Sequence, residues 1–278
     1  MPVNRHKAIA ITVATIILLL AGNSYAEKKP DLVRIVGERE AALVTVKYVL
    51  SVSMTNQNRN QQHESENELT CSMISADGLL ICSNNQLTGF IEIIKRLYGP
   101  AMGGMDMSAT PKDLKVLVGP EAESFDAEIL ARDTELDIVW VRITDAGDNS
   151  FSYIDFNDGS SAGIGDPIVT IRRTGNNFGR TPVASQSYIG GISSKPRMLY
   201  IPGTASMVGA GLPVFNSSGS VIGLMVTQLP EDRGSSGSPM GMFGAGMTNL
   251  QDAMSGLVLP AAEVVKATQR AMEIAEPL

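Results

Sequence analysis

Apolar and polar residues alternate along residues 44–54: Val44, Val46, Tyr48, Leu50, Val52 and Met54 share one face, with mostly polar neighbours between them. A period of two is the pattern of a half-buried β-strand. The next stretch, Thr55 to Glu68 (TNQNRNQQHESENE), is wholly polar and reads as an exposed loop. Short apolar runs follow at Met73-Ile74, Leu79 to Cys82, Leu114 to Val118, Ile138 to Ile143, Pro167 to Ile171, Tyr188 to Ile192, Met198 to Ile201, Leu212 to Phe215 and Val221 to Val226. Turn-forming residues separate many of them, at Asp77-Gly78, Asp158-Gly159, Gly175-Asn176 and Asn216 to Gly219. Short strands punctuated in this way predict an all-β sandwich or barrel, not alternating strand–helix units.

Only two helices are expected. Phe90, Ile93, Ile94 and Leu97 recur at helical spacing, and Pro260 opens a second segment in which Val264, Val265, Thr268, Ala271, Met272 and Ala275 do the same. Two Gly/Met-rich stretches, Gly99 to Met107 and Gly234 to Met247, read as loops between strands.

Composition narrows the class. The chain has 278 residues, 44% apolar and 18% charged, enough for one large or two small cored domains and too apolar for general disorder. Residues 1–26 carry two basic residues and no acidic one; the remainder has 20 basic against 29 acidic residues, a net charge of −9. An acidic chain without a long Lys/Arg run is a poor match for nucleic acid or an anionic membrane surface, so neither is expected as a partner. Two cysteines exclude a disulfide-dense miniprotein and a four-cysteine zinc site.

Arg5 and Lys7 precede an apolar core, Ala8 to Gly22, and Ser24-Tyr25-Ala26 places small residues at the positions a signal peptidase reads. This is the three-part layout of a secretory signal. The core falls short of the ~20 residues of a membrane-spanning helix, and an uncleaved anchor is the alternative. Residues 1–26 are therefore expected to be a signal peptide, leaving a periplasmic or secreted chain with no membrane segment. Export places Cys71 and Cys82 in an oxidising setting. They flank the turn Ser75-Ala76-Asp77-Gly78, and they face one another if Ala76 and Asp77 are its two central residues. A shift by one residue would send them to opposite faces, leaving buried free thiols.

Five segments in order resemble trypsin-like serine proteases of the HtrA/Deg type. Ser75 to Asn85 (SADGLLICSNN) is similar to the hairpin that ends at their catalytic histidine, Arg132 to Val141 (RDTELDIVWV) to their aspartate segment, and Val208 to Gly223 (VGAGLPVFNSSGSVIG) to their nucleophile loop and the hairpin after it. Gly163 to Val169 and Gly256 to Pro260 resemble further family segments. The resemblance covers roughly residues 31–275 and implies two antiparallel β-barrels of the trypsin-like fold with a short C-terminal helix. It places an N-terminal barrel in residues 27–148 and a C-terminal barrel with the helix in 149–278. The family's PDZ module is not recognised.

In that family a serine attacks the peptide carbonyl, a histidine takes its proton and an aspartate orients the histidine. Here the histidine position is Asn85, the nucleophile position is Ala210, and the oxyanion-loop glycine is Val208; only Asp137 matches. A carboxamide has no pKa near neutrality and a methyl group is no nucleophile. Apart from His6, the chain's one histidine is His63, in the polar run. The Gly234 to Pro239 stretch mimics a nucleophile motif with Ser236 in the slot, but it follows the Val221–Val226 strand instead of preceding it. The resemblance thus implies an exported pseudoprotease that binds a protein or peptide segment in the inter-barrel cleft without a cofactor. A serine endopeptidase acting through Ser236 is the alternative. Thioethers at Met102, Met105, Met107, Met240, Met242 and Met247 are the residues a Cu(I) site would use. Asp133, Glu135 and Asp137 lack the spacing of an EF-hand calcium loop.

Overall fold

The computed structural model describes residues 30–56, 59–98, 106–119, 123–203, 209–227 and 256–275. The first element is a helix that was not expected from the sequence, α1 (Leu32–Arg39). The Asp31 carboxylate caps it by accepting from Arg34 N at 3.1 Å, and Ile35 points inward, fully buried.

The alternating segment forms β1 (Leu43–Asn56), which pairs along its whole length with β2 (Arg59–Met73). The expectation of a loop over Thr55–Glu68 is therefore corrected: most of this polar run is strand. Val44, Val46, Tyr48 and Leu50 of β1 are buried, Val52 is half-buried and Met54 is exposed, so the ribbon loses its apolar face towards its tip. There, strand structure follows from backbone pairing and not from burial, which is why no alternation marks it.

β3 (Leu79–Ser83) leads into a single-turn helix α2 (Asn84–Leu87) and then α3 (Ile91–Tyr98), in which Ile91 and Ile93 are buried. β4 (Asp106–Val118), β5 (Glu123–Asp133) and β6 (Ile138–Ile143) complete a closed antiparallel barrel in the order β1-β2-β3-β6-β5-β4. β7 (Pro167–Arg173), β8 (Pro182–Ser193), β9 (Leu199–Pro202), β10 (Pro213–Asn216), β11 (Val221–Thr227) and β12 (Gly256–Pro260) form a second closed barrel, β10-β11-β12-β9-β8-β7. α4 (Ala261–Ala275) follows, burying Ala261, Val264, Ala267 and Ala271. The fold is thus two six-stranded antiparallel barrels with a C-terminal helix. Among the described residues four α-helices occur instead of two, and none is long and apolar enough to cross a membrane.

The largest apolar cluster lies between the barrels. It joins Ile81 and Trp140 of the first, Phe215 and Leu224 of the second, Ile35 of α1 and Val264 of α4. Each such side chain contributes about 1.5–3 kcal/mol by leaving water, so the two helices act as staples across the seam. Trp140 donates from its indole to Thr268 Oγ1 of α4 at 3.1 Å.

Candidate functional site

The β3–α2 junction sets one wall of the seam. Pairing of Ser83 with Ile138 brings Asp137, the residue before β6, beside the start of α2. The preceding loop is shaped by the Asp133 carboxylate, which accepts from the N–H groups of Glu135 (3.1 Å) and Leu136 (2.9 Å). Asp137 then takes a left-handed backbone conformation (φ 59°), one that Asp tolerates better than bulkier residues. This turns its carbonyl and its carboxylate towards the same helix end. Asn84 N donates to Asp137 O at 3.2 Å, Asn85 N donates to Asp137 Oδ1 at 2.7 Å, and Gln86 N donates to Ser83 Oγ at 3.2 Å. Three consecutive N–H groups that a helix start leaves without partners are thereby satisfied.

The carboxylate also accepts from Ser83 Oγ, 3.0 Å from each oxygen, and Oδ2 accepts from Thr227 N of β11 at 3.3 Å. Asp137 is therefore held by donors from both barrels. Burial pushes its pKa up to about 6, while these hydrogen bonds pull the other way. The Arg132 guanidinium donates to Asn84 Oδ1 at 3.0 Å, and its own burial lowers its pKa.

The second barrel supplies the facing loop. Gly209 and Gly211 both have positive φ, and Leu212 N closes a turn onto Gly209 O at 2.9 Å. Gly211 N donates to Met225 O (2.7 Å) and Met225 N to Leu212 O (2.8 Å), fixing the loop to β11. Its outer side meets the first barrel directly. Gln86 Nε2 donates to Ala210 O at 3.3 Å, and Ser72 Oγ to Gly211 O at 3.1 Å. A Cβ on Gly211 would lie 2.4 Å from Ser83 N, so the barrels touch backbone to backbone. Gln86 is steadied in turn by Tyr48, whose hydroxyl donates to Gln86 O at 3.1 Å and whose pKa burial pushes up to about 12.

Asn85, Asp137 and Ala210, three of the four positions singled out in the sequence, thus meet at this seam and are all buried. Val208 and Ser236 lie outside the described residues, as do residues 1–26 and Met102, Met105, Met240, Met242 and Met247. Met107 is buried in β4. His63 is exposed on β2 opposite Val52, eight residues and so roughly 26 Å of strand from Cys71. Cys71 forms a disulfide with Cys82, their Cα atoms 4.7 Å apart, in the register that makes Ala76 and Asp77 the central turn residues. Asp133, Glu135 and Asp137 do not converge: the first holds its own loop, Glu135 pairs with Arg197, and Asp137 faces the seam. Among the described residues no group of three His, Cys, Asp or Glu side chains is placed to hold an ion.

Sequence reasoning missed Ser83, Gln86, Ser72 and Thr227. Only Ser83 carried a local signal, a serine before a short helix as an N-cap. Gln86 follows in α2 without a signal of its own, and Ser72 and Thr227 come from distant strands where nothing near them in the chain announces the meeting.

A model of the trypsin-like peptidase domain matches residues 69–224. No curated protein matches the sequence. Among solved structures, a variant of the HtrA-type protease AlgW with a decapeptide superposes with a TM-score of 0.53 at 17% identity, covering 88% of this chain and 67% of that one. The same kind of chain with a tripeptide gives a TM-score of 0.50 at 16% identity, covering 88% and 63%. This protein thus spans about two thirds of the length of those chains. Two closed six-stranded barrels meeting at one seam, and a domain model that spans more than half of the sequence, place the protein in the trypsin-like peptidase domain family.

Proposed function

We propose that this protein is an exported, non-cleaving member of its family, whose inter-barrel cleft binds a protein or peptide segment. The observation that carries the reading is the occupancy of Asp137. Its oxygens accept from Asn85 N, Ser83 Oγ and Thr227 N, and the neighbouring position aligned with a catalytic histidine is an asparagine. The aspartate has a structural task, capping α2 and tying in β11, that needs no imidazole.

Magnitudes favour inactivity. In the trypsin-type triad, loss of one member leaves ~10³–10⁴-fold catalysis over water, carried by the oxyanion hole and substrate binding. This chain lacks two members and has Val208 at the oxyanion-loop position. Peptide binding is supported by likeness to HtrA-type chains solved with a decapeptide and a tripeptide. The apolar core and small-residue ending of residues 8–26 support export, with a mature chain beginning at Glu27.

Purified mature protein is expected to retain unfolded casein on gel filtration, release no fragments, and take up no fluorophosphonate probe. Casein cleavage or specific labelling that disappears in Ser236→Ala would overturn the proposal in favour of an endopeptidase.

A further inference from the structure

We infer that Asp137 is a proton-responsive clasp between the two barrels, whose ionised carboxylate ties the Asn85 N–H of α2 to the Thr227 N–H of β11 and whose protonation loosens both ties together. This goes beyond the proposed function: the seam geometry defines the clasp, and the burial of Asp137 sets the pH range in which it responds. Oδ1 accepts from Asn85 N of the first barrel at 2.7 Å and Oδ2 from Thr227 N of the second at 3.3 Å, with Ser83 Oγ of the first barrel 3.0 Å from both oxygens. Hydrogen bonds to an ionised acceptor are roughly twice as strong as neutral ones, so one proton changes the grip on both sides.

The donor set makes the two states unequal. Backbone N–H groups cannot turn around. A proton on the carboxyl group has to be directed at a hydroxyl, and the Ser83 hydroxyl, 3.0 Å from each oxygen, is the partner able to reverse from donor to acceptor. Ser83 Oγ already accepts from Gln86 N, so protonation also reaches the start of α2. No other ionisable side chain bonds to the carboxylate among the described residues. Arg132 of β5 is engaged with Asn84, Asp133 with its own loop and Glu135 with Arg197, while the contacts from β3, α2 and β11 come from Ser83, Asn85 and Thr227.

Burial raises the folded-state pKa from 3.8 to about 6. For a carboxyl group this sign means that the folded state holds the proton more tightly. The stability so conferred is full below the unfolded pKa and is lost as pH rises through 6. Acidification therefore firms the fold as a whole while weakening the two charge-assisted N–H bonds.

Nuclear magnetic resonance of the wild-type protein between pH 4 and 8 tests the clasp directly. On acidification the Asn85 and Thr227 amide protons are expected to move upfield together, with the midpoint of the Asp137 carboxyl carbon near 6. Glu66→Gln and Glu128→Gln, exposed on β2 and β5 and away from the seam, should leave that midpoint unchanged. Relative to Asp137→Asn, the wild-type folding equilibrium is expected to fall about fiftyfold from pH 4 to pH 7. Separate midpoints for the two amides, a midpoint that moves in either control variant, or a carboxyl that stays ionised down to pH 4 would each overturn the inference. If Asp137→Asn does not fold, the wild-type titration decides alone.

Discussion

An aspartate without a histidine is an odd thing to keep buried, and its surroundings explain why it stays. Asp137 satisfies two N–H groups at the start of α2, one through its carbonyl and one through its carboxylate, and a third on β11. Each would cost about 1–3 kcal/mol if left buried and unpaired. The same seam explains Gly211. Its φ of +80° already disfavours a side chain, and a Cβ there would sit 2.4 Å from Ser83 N and 2.8 Å from the Cys82 carbonyl carbon. Gly211→Ala is expected to cost about 3 kcal/mol or more, because backbone must move on both sides. Gly119→Ala, at φ +73° but facing open space, should cost only about 1 kcal/mol. Urea unfolding of the two variants checks this; equal losses would show that backbone angle, and not the close approach of the barrels, sets the cost.

At the level of elements, the polar β2 ribbon shows how a strand forms without a hydrophobic signature. Its residues pair with β1 from Arg59 to Ser72, and its outward side chains make cross-strand ion pairs such as Lys47–Glu66 and Lys112–Glu64. Both pairs are well exposed, so each adds at most about 1 kcal/mol. Backbone pairing anchored at the buried end does the rest. That end is pinned by the Cys71–Cys82 bridge, which closes a short loop through the β2–β3 turn. Replacing both cysteines by alanine is expected to cost about 3 kcal/mol on loop-entropy grounds, read as a lowered urea midpoint. An unchanged midpoint would mean that the register of β1, β2 and β3 is held fully by packing. α1 and β5 escaped prediction for related reasons: α1 is only eight residues long, and β5 buries fully only Phe125 among its eleven.

Across the whole molecule, the seam is the organising feature. Besides the shared apolar cluster, Arg173 of the second barrel donates to Leu43 O and Glu40 O, Arg180 pairs with Glu68, and Arg197 pairs with Glu135. Such cross-links hold the two barrels in fixed relation across the seam, and fixed geometry is what any catalysis there would need. The triple variant Asn85→His, Ala210→Ser, Val208→Gly is expected to gain weak hydrolysis of an activated peptide ester over the parent chain. Complete inertness would indicate that the substrate pocket or the oxyanion loop has also departed from working shape.

The chain by itself determined the class: period-two alternation and regular turn signals were enough for an all-β reading, because burial on one face of a strand leaves its mark residue by residue, and the resemblance of five ordered segments to a known family implied the two barrels. Through its resemblance to that family it also carried the expectation that Asn85 and Ala210 stand where an imidazole and a hydroxyl would be. Only tertiary structure decided what Asp137 does instead, since its partners Ser83, Asn85 and Thr227 are separated from it by 54, 52 and 90 residues. It also resolved the cysteine register, which a one-residue slip would have reversed, and turned the polar run into strand. Hydrogen bonds between distant backbones carry no local side-chain pattern, and no residue near Asp137 in sequence could have announced them.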